Sequence, residues 1–190
     1  DAITGSPMGR PKSASFGTAD LVGLDTFVHV VRTVLDGCPK DEALATFRIP
    51  PLLEKMVQMG ALGRKSGAGF FKMEKTPEGK KKLLVLDAAR GEYVPEQKPD
   101  LPSLKAVAKV HDPAERIRRV VAADDRAGTF AFKVLAGTLS YAAHRMGEIA
   151  DTVVDVDTAL KWGFNWELGP FETWDALGVE VFAHRMEEAG

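Results

Sequence analysis

One cysteine, Cys38, stands among 190 residues, which excludes an internal disulfide and predicts a reducing, cytoplasmic setting. A lone thiol of this kind is expected as a small apolar filler rather than as a nucleophile. No apolar run approaches the roughly 20 residues that span a bilayer, and no signal-peptide pattern opens the chain. An excess of charge is also missing: 25 Lys and Arg stand against 27 Asp and Glu, a net charge of −2 with a pI near 6.1. No global field therefore favours nucleic acid or an anionic membrane surface, and an anionic ligand has to be held by local charges. The four histidines, His29, His111, His144 and His184, are far apart and lack a ligand spacing such as H-E-x-x-H, so no metal site is expected. Ser13, Ser15 and Ser66 lack the nucleophile-elbow pattern and have no histidine placed beside them.

What is present is ordinary for a folded, soluble chain, with 45% apolar and 27% charged residues. The first residue is Asp1 rather than Met, and the chain is expected to be a segment excised or processed from a longer protein. Gly5, Pro7, Gly9 and Pro11 break the opening into an ordered loop. A helix is predicted from near Ser13 to a stop at Gly23, then a second, capped by Asp25, with Phe27, Val30, Val31, Val34 and Leu35 as its apolar stripe. Further helical signals cover Asp41 to Phe47 and the segment opened by Pro50 and Pro51.

Between Gly60 and Pro95 the texture changes. Phe70 to Met73 and Leu83 to Leu86 read as short strands joined by a Thr76-Pro77-Glu78-Gly79 turn, with a third strand at Tyr93-Val94. The Lys80-Lys81-Lys82 run is expected to be a solvated turn. Pro95 to Pro102 is a connector, after which Asp112-Pro113-Ala114-Glu115 has the form of a capping box. A long helix is predicted over 125–149 with Phe132, Leu135, Leu139 and Ala142 on one face and Val134, Thr138 and Tyr141 beside it. Helices near 156–161, 170–177 and 179–189 follow, separated by glycines.

Sliding the chain on itself by 155 positions aligns Phe16 with Phe171, Thr18 with Thr173, Asp20 with Asp175, Gly23 with Gly178, Phe27 with Phe182 and His29 with His184. Chance would give about one identity in such a window. This is a duplicated helix-glycine-helix unit. Each glycine supplies the left-handed turn and the acid after it, Asp25 or Glu180, caps the next helix. His29 and His184 are expected in packing or surface roles, and Asp20 and Asp175 as local hydrogen-bonding partners. Two such copies can pack on each other as a pseudo-dimer within one chain.

Three stretches carry a resemblance to a known family. They are Gly9 to Lys12 running into Ala19-Asp20-Leu21-Val22-Gly23-Leu24-Asp25, the segment Leu62-Gly63-Arg64-Lys65-Ser66-Gly67-Ala68-Gly69-Phe70-Phe71, and Ala159 to Glu172 with Trp174 to Gly178. In this order they resemble the tandem C-terminal helical domains of long 3-hydroxyacyl-CoA dehydrogenases. The resemblance implies a mainly α fold of two related helical-bundle units, 6-phosphogluconate-dehydrogenase C-terminal-like, packed as a pseudo-dimer, with a small β insert around 68–95. The expected division is 1–72 for the first unit, truncated at its N-terminus, 73–112 for the strand-containing insert and linker, and 113–190 for the second unit.

For the parent protein the resemblance implies NAD-dependent oxidation of an L-3-hydroxyacyl-CoA in fatty-acid β-oxidation. It also implies a preceding NAD-binding domain, and long relatives often carry an enoyl-CoA hydratase domain in the same chain. The family's phosphate loop, its histidine-glutamate pair and its catalytic asparagine all fall outside this sequence. Gly63, Gly67 and Gly69 do not give the G-x-G-x-x-G spacing, and no strand precedes them. No catalytic, cofactor-binding or metal residue is therefore assigned, no cofactor is expected on this piece, and it is expected to be inactive alone. What remains could wall the acyl-CoA cleft. Lys12 and Ser13 are the polar groups of the loop that approaches substrate in the family, and Arg64 and Lys65 are natural phosphate partners. The competing readings are a non-catalytic helical interaction or dimerisation module of a multifunctional β-oxidation protein and an independent acyl-CoA-binding protein.

Overall fold

A computed structural model describes residues 1–189. The chain is mainly helical with one small antiparallel sheet, and it divides into two compact units, residues 15–98 and residues 1–14 together with the stretch from Pro99 onward. The opening loop thus belongs with the later helices rather than with those that directly follow it.

In the unit of residues 15–98, α1 (Phe16–Val22) and α2 (Leu24–Gly37) meet at Gly23, whose φ of 100° lies where a side chain would strain the backbone. The helix predicted from Ser13 starts three residues later, because Ala14 takes a φ of 52° and cannot belong to a right-handed helix. Gly23 itself occupies the cap of α2. Asp25 is therefore in the first turn and not at the cap. Leu24, Val28 and Val31 form the buried stripe of α2, and the first two join Leu53 and Met56 of α3 (Pro51–Gln58) in a small core edged by Phe70 and Leu86. Burying Leu24 fully is worth about 1.5–3 kcal/mol. The helix expected over 41–47 is only a 3-10 turn, Leu44–Phe47.

The three strands are β1 (Phe71–Lys75), β2 (Lys81–Asp87) and β3 (Glu92–Pro95), in the order β1-β2-β3, with Phe71 opposite Val85 and Tyr93 opposite Leu86. The hairpin turn falls where Pro77 and Gly79 placed it. Cys38, expected as apolar filler, is exposed, because α2 ends at Gly37 and leaves it at the C-terminal cap.

The other unit is a bundle of α4 (Pro102–Val107), α5 (Pro113–Ala122), α6 (Arg126–His144), α7 (Val153–Phe164), α8 (Pro170–Leu177) and α9 (Val179–Ala189). Its core joins Met8 of the opening loop to Val107, Ile117, Val120, Phe132, Leu135, Leu139 and Phe182. Asp112 caps α5 as predicted, accepting the Glu115 N–H. Asp125 caps α6 through the N–H groups of Ala127 and Gly128 and also accepts that of Ser103, which ties α4 to α6. Those donors, led by Gly128, hold its carboxyl below the usual carboxylate range. The expected faces of α6 are present, with Phe132, Leu135, Leu139 and Ala142 buried and Val134, Thr138 and Tyr141 half-buried. The helix stops at His144 rather than Ile149, and α4 had no expected counterpart, its six residues being too few to show a period.

Candidate functional site

Two buried aspartates organise the two units. Asp20, 3% exposed on α1, accepts the backbone N–H groups of Phe70 and Phe71, both at 2.8 Å. The chain reaches it only because Gly63 and Gly69 have no side chain: a Cβ on Gly63 would collide with the Asp20 backbone and one on Gly69 with its carboxylate. The Tyr93 hydroxyl donates to the Gly69 carbonyl at 2.6 Å, and burial, reinforced by the Asp20 charge, pushes that phenol up. The glycine-rich segment is thereby folded onto α1.

In the helical unit, Asp157 on α7 is 6% exposed and accepts the N–H groups of Phe171 at 2.8 Å and Glu172 at 3.1 Å. Gly169 makes room for it, since a Cβ there would strike Asp157. Burial pushes the Asp157 carboxyl up, and the two backbone donors oppose that shift. Burial also raises Glu172, but Lys161 at 2.7 Å and the Gly169 N–H at 2.9 Å outweigh it and leave that carboxyl below its usual range. A third knot is Arg116, 9% exposed, which donates to the carbonyls of Ser6, Val110 and His111 and pairs with Glu167. The Glu167 N–H donates to Gly9 O at 2.8 Å, and the Arg10 guanidinium lies 4.3 Å over the Trp166 ring.

These carboxylates are occupied by backbone donors. They fix loops and are poorly placed to exchange protons with a substrate. Sequence reasoning singled out Asp20 as a local hydrogen-bonding partner, and it is one; its repeat counterpart Asp175 is exposed. Asp157, Arg116 and the Arg10–Trp166 stack were missed. No local pattern marks Asp157, which shares α7 with Asp155 and lies 12 residues before the glycine it grips.

Of the residues expected to meet substrate, Lys12 is exposed and Ser13 half-buried in one unit, and Arg64 and Lys65 are exposed in the other, on a 3-10 turn, Arg64–Ser66. The Lys65 ammonium is committed: its Nζ bonds Asp25 Oδ2 at 2.8 Å. That bond holds the Asp25 carboxyl below its usual range. A Cβ on Gly23 would lie 2.8 Å from the same Nζ, so Gly23 also leaves the lysine its path.

A dinucleotide does not fit these residues. The sheet is antiparallel, β1 follows the glycine-rich turn instead of leading into it, and that turn runs into a strand rather than a helix. No group of three or more His, Cys, Asp or Glu side chains among the described residues could hold a metal ion. Among them no helix is long and apolar enough to cross a membrane. The cleft between α2 and α3, about 190 Å³ and lined by Asp25, His29, Arg32 and Glu54, is small against the roughly 300–1,000 Å³ of ordinary ligand pockets.

The family model described as 3-hydroxyacyl-CoA dehydrogenase, C-terminal domain, matches residues 1–73 and 128–190, the two stretches that hold the repeat. The chain is 43% identical to a probable 3-hydroxyacyl-CoA dehydrogenase of Bacillus subtilis over 190 residues, all of this chain and 23% of that protein. It is 27% identical to a putative fatty acid oxidation complex trifunctional enzyme of Rickettsia felis over 166 residues, 87% of this chain and 21% of that one. The chain therefore spans under a quarter of the length of these relatives. A crystal structure of 3-hydroxybutyryl-CoA dehydrogenase from Escherichia coli aligns with a TM-score of 0.52 over 89% of this chain and 45% of that one. At 17% identity that likeness shows the fold alone.

Proposed function

Since the chain belongs to the family of 3-hydroxyacyl-CoA dehydrogenase C-terminal domains, we propose that it is the helical part of an NAD-dependent L-3-hydroxyacyl-CoA dehydrogenase of fatty-acid β-oxidation, shaping the acyl-CoA cleft and leaving hydride transfer to a domain outside this sequence. The observation that carries this reading is the use of the acidic groups. Asp20, Asp157 and Asp125 all accept backbone N–H groups and are committed to holding loops and helix ends. The chain is built as a scaffold, and its relatives are named as dehydrogenases and as a fatty acid oxidation enzyme.

On this reading NAD is bound by a domain outside this sequence. The polar groups offered to acyl-CoA are, in one unit, Lys12 and Ser13 of the opening loop and, separately, in the other, Arg64 of the glycine-rich turn. Arg64 supplies the phosphate-pairing charge, with Lys65 holding the turn in place through Asp25. A cytoplasmic setting suits the exposed thiol of Cys38. An enoyl-CoA hydratase domain in the parent is consistent with the trifunctional name of the Rickettsia relative.

The test is made in the longer protein. Lys12→Ala and Arg64→Ala should raise KM for acetoacetyl-CoA several-fold in the reductive direction and leave kcat and KM for NADH unchanged. An unaltered KM for both variants would remove these residues from the substrate site.

A further inference from the structure

Arg10 is a half-buried cation without a counter-charge. Its guanidinium lies 4.3 Å over the Trp166 ring, and its Nη2 is shielded from solvent with no hydrogen-bond partner among the described residues. Burial pushes its pKa down, and no carboxylate draws it back. The neighbouring acid, Glu167, is paired with Arg116 instead. Buried charges in folded chains are as a rule paired, because their desolvation is otherwise uncompensated, and a stack on indole returns only part of that loss. The fold nevertheless holds Arg10 in place from one side of the loop to the other. Arg116 Nε donates to the Ser6 carbonyl and the Glu167 N–H to that of Gly9, both at 2.8 Å. Asn165 ends α7 in a left-handed conformation, φ 54°, just before Trp166. A preorganised cation that lacks a partner is the form an anion site takes.

The surroundings select the anion. Trp166 covers a face of the guanidinium, whereas oxyanions bind in its plane, so the stack leaves that mode open. Lys12, two residues further along the same loop, is exposed and adds a second positive charge. A phosphate monoester, with a charge of about −2, suits two cations better than a carboxylate does. The Phe164 ring, 64% exposed, stands 6.4 Å from that of Trp166. An open aromatic ring close to a phosphate-binding group suits a nucleobase. We propose that Arg10 binds the 3′-phosphate of the coenzyme A part of the substrate, with Lys12 as the second cation and Phe164 against the adenine. The choice of coenzyme A rests on the acyl-CoA reading above. All of these residues belong to one unit, that of residues 1–14 and the stretch from Pro99 onward.

Calorimetric titration of the 190-residue chain with adenosine 3′,5′-bisphosphate should show binding. Affinity should fall about tenfold or more for adenosine 5′-phosphate, which lacks the 3′ group, and by a similar factor for the bisphosphate in Arg10→Met. Arg10→Met keeps an apolar stem over the indole and removes an uncompensated charge, so without ligand it should melt no lower than the parent chain. The bisphosphate should raise the melting temperature of the parent chain and not that of the variant. In the longer protein, Arg10→Met should raise KM for acetoacetyl-CoA and leave kcat, and KM for the 3′-dephospho analogue, unchanged. Equal affinity for the two nucleotides would overturn the proposal. So would unchanged bisphosphate binding in Arg10→Met, or a lower melting temperature in that variant, which would make Arg10 a clamp for the opening loop. A longer protein that bound the bisphosphate through Arg10 but did not reduce acetoacetyl-CoA would count against the dehydrogenase reading and uphold the nucleotide site.

Discussion

Asp20 accepts the backbone N–H of Phe71 at 2.8 Å, and Asp157 accepts that of Phe171 at the same distance. Each also accepts an adjacent N–H, from Phe70 and Glu172 respectively, and each has a glycine pressed against it. Both units thus solve one local problem alike, anchoring an incoming loop on a buried helical carboxylate. Asp20 and Asp157 are nevertheless not repeat counterparts. The position related to Asp20 is Asp175, which faces solvent.

That difference gives the first prediction. Asp20→Ala strands two N–H groups that a charged acceptor had satisfied, at a cost of about 2–4 kcal/mol. Asp175→Ala should change stability by less than about 0.5 kcal/mol. Urea unfolding of the two variants separates them, and equal effects would contradict the assigned roles.

Gly69 and Gly169 are required for space. Gly69→Ala or Gly169→Ala drives a methyl group into the gripping aspartate and should destabilise by about 1–3 kcal/mol. Gly137 of α6 has nothing within 4 Å of where its Cβ would stand, so Gly137→Ala should stabilise by about 0.5–1 kcal/mol through helix propensity. Thermal melts of the three variants check the signs.

Arg116 is buried and Glu167 is half-open, with side chains 11% and 44% exposed. Arg116→Ala therefore abandons three backbone carbonyls and should cost about 3 kcal/mol. Glu167→Gln keeps a hydrogen-bond acceptor in a wetter position and should cost about 1 kcal/mol or less. Chemical denaturation should reproduce this asymmetry. Equal costs would mean that the ion pair, rather than the carbonyl contacts, fixes the opening loop.

The Asp25–Lys65 pair sets a pH dependence. The hydrogen bond from Lys65 holds the Asp25 carboxyl below its usual value in the folded chain. The folded state then binds fewer protons than the unfolded state in that window. The pair's stabilisation is present above the ordinary carboxylate pKa and is lost as pH falls through the folded-state value. Asp25→Asn should therefore be less stable than the parent chain near neutrality and converge with it in acid. Unfolding midpoints measured across pH test the convergence, and a gap that widened in acid would refute the sign.

Much of this was legible from residue order. The Gly23 and Gly178 turns, the Asp112 cap, the hairpin over Pro77-Gly79 and the apolar face of α6 follow from local chemistry that tertiary contacts do not override. Positions decided by long-range packing were not legible. Asp157 shows no pattern until α8 is folded beside α7, and Arg116 is an ordinary charged helix residue until the opening loop closes on it. The start of α1 shifted because Ala14 adopts a left-handed conformation that composition does not announce. The repeat carried backbone geometry faithfully and environment poorly, as the open Phe27 and the buried Phe182 show.

The central claim is that this chain is scaffold for a hydride transfer carried out elsewhere. It is tested most directly by adding acetoacetyl-CoA and NADH to the purified 190-residue protein, and separately to the longer protein, and following NADH absorbance. Turnover should occur in the longer protein and stay at the uncatalysed background with the short one. NADH consumption by the 190 residues alone, abolished by substitutions within them, would contradict the account.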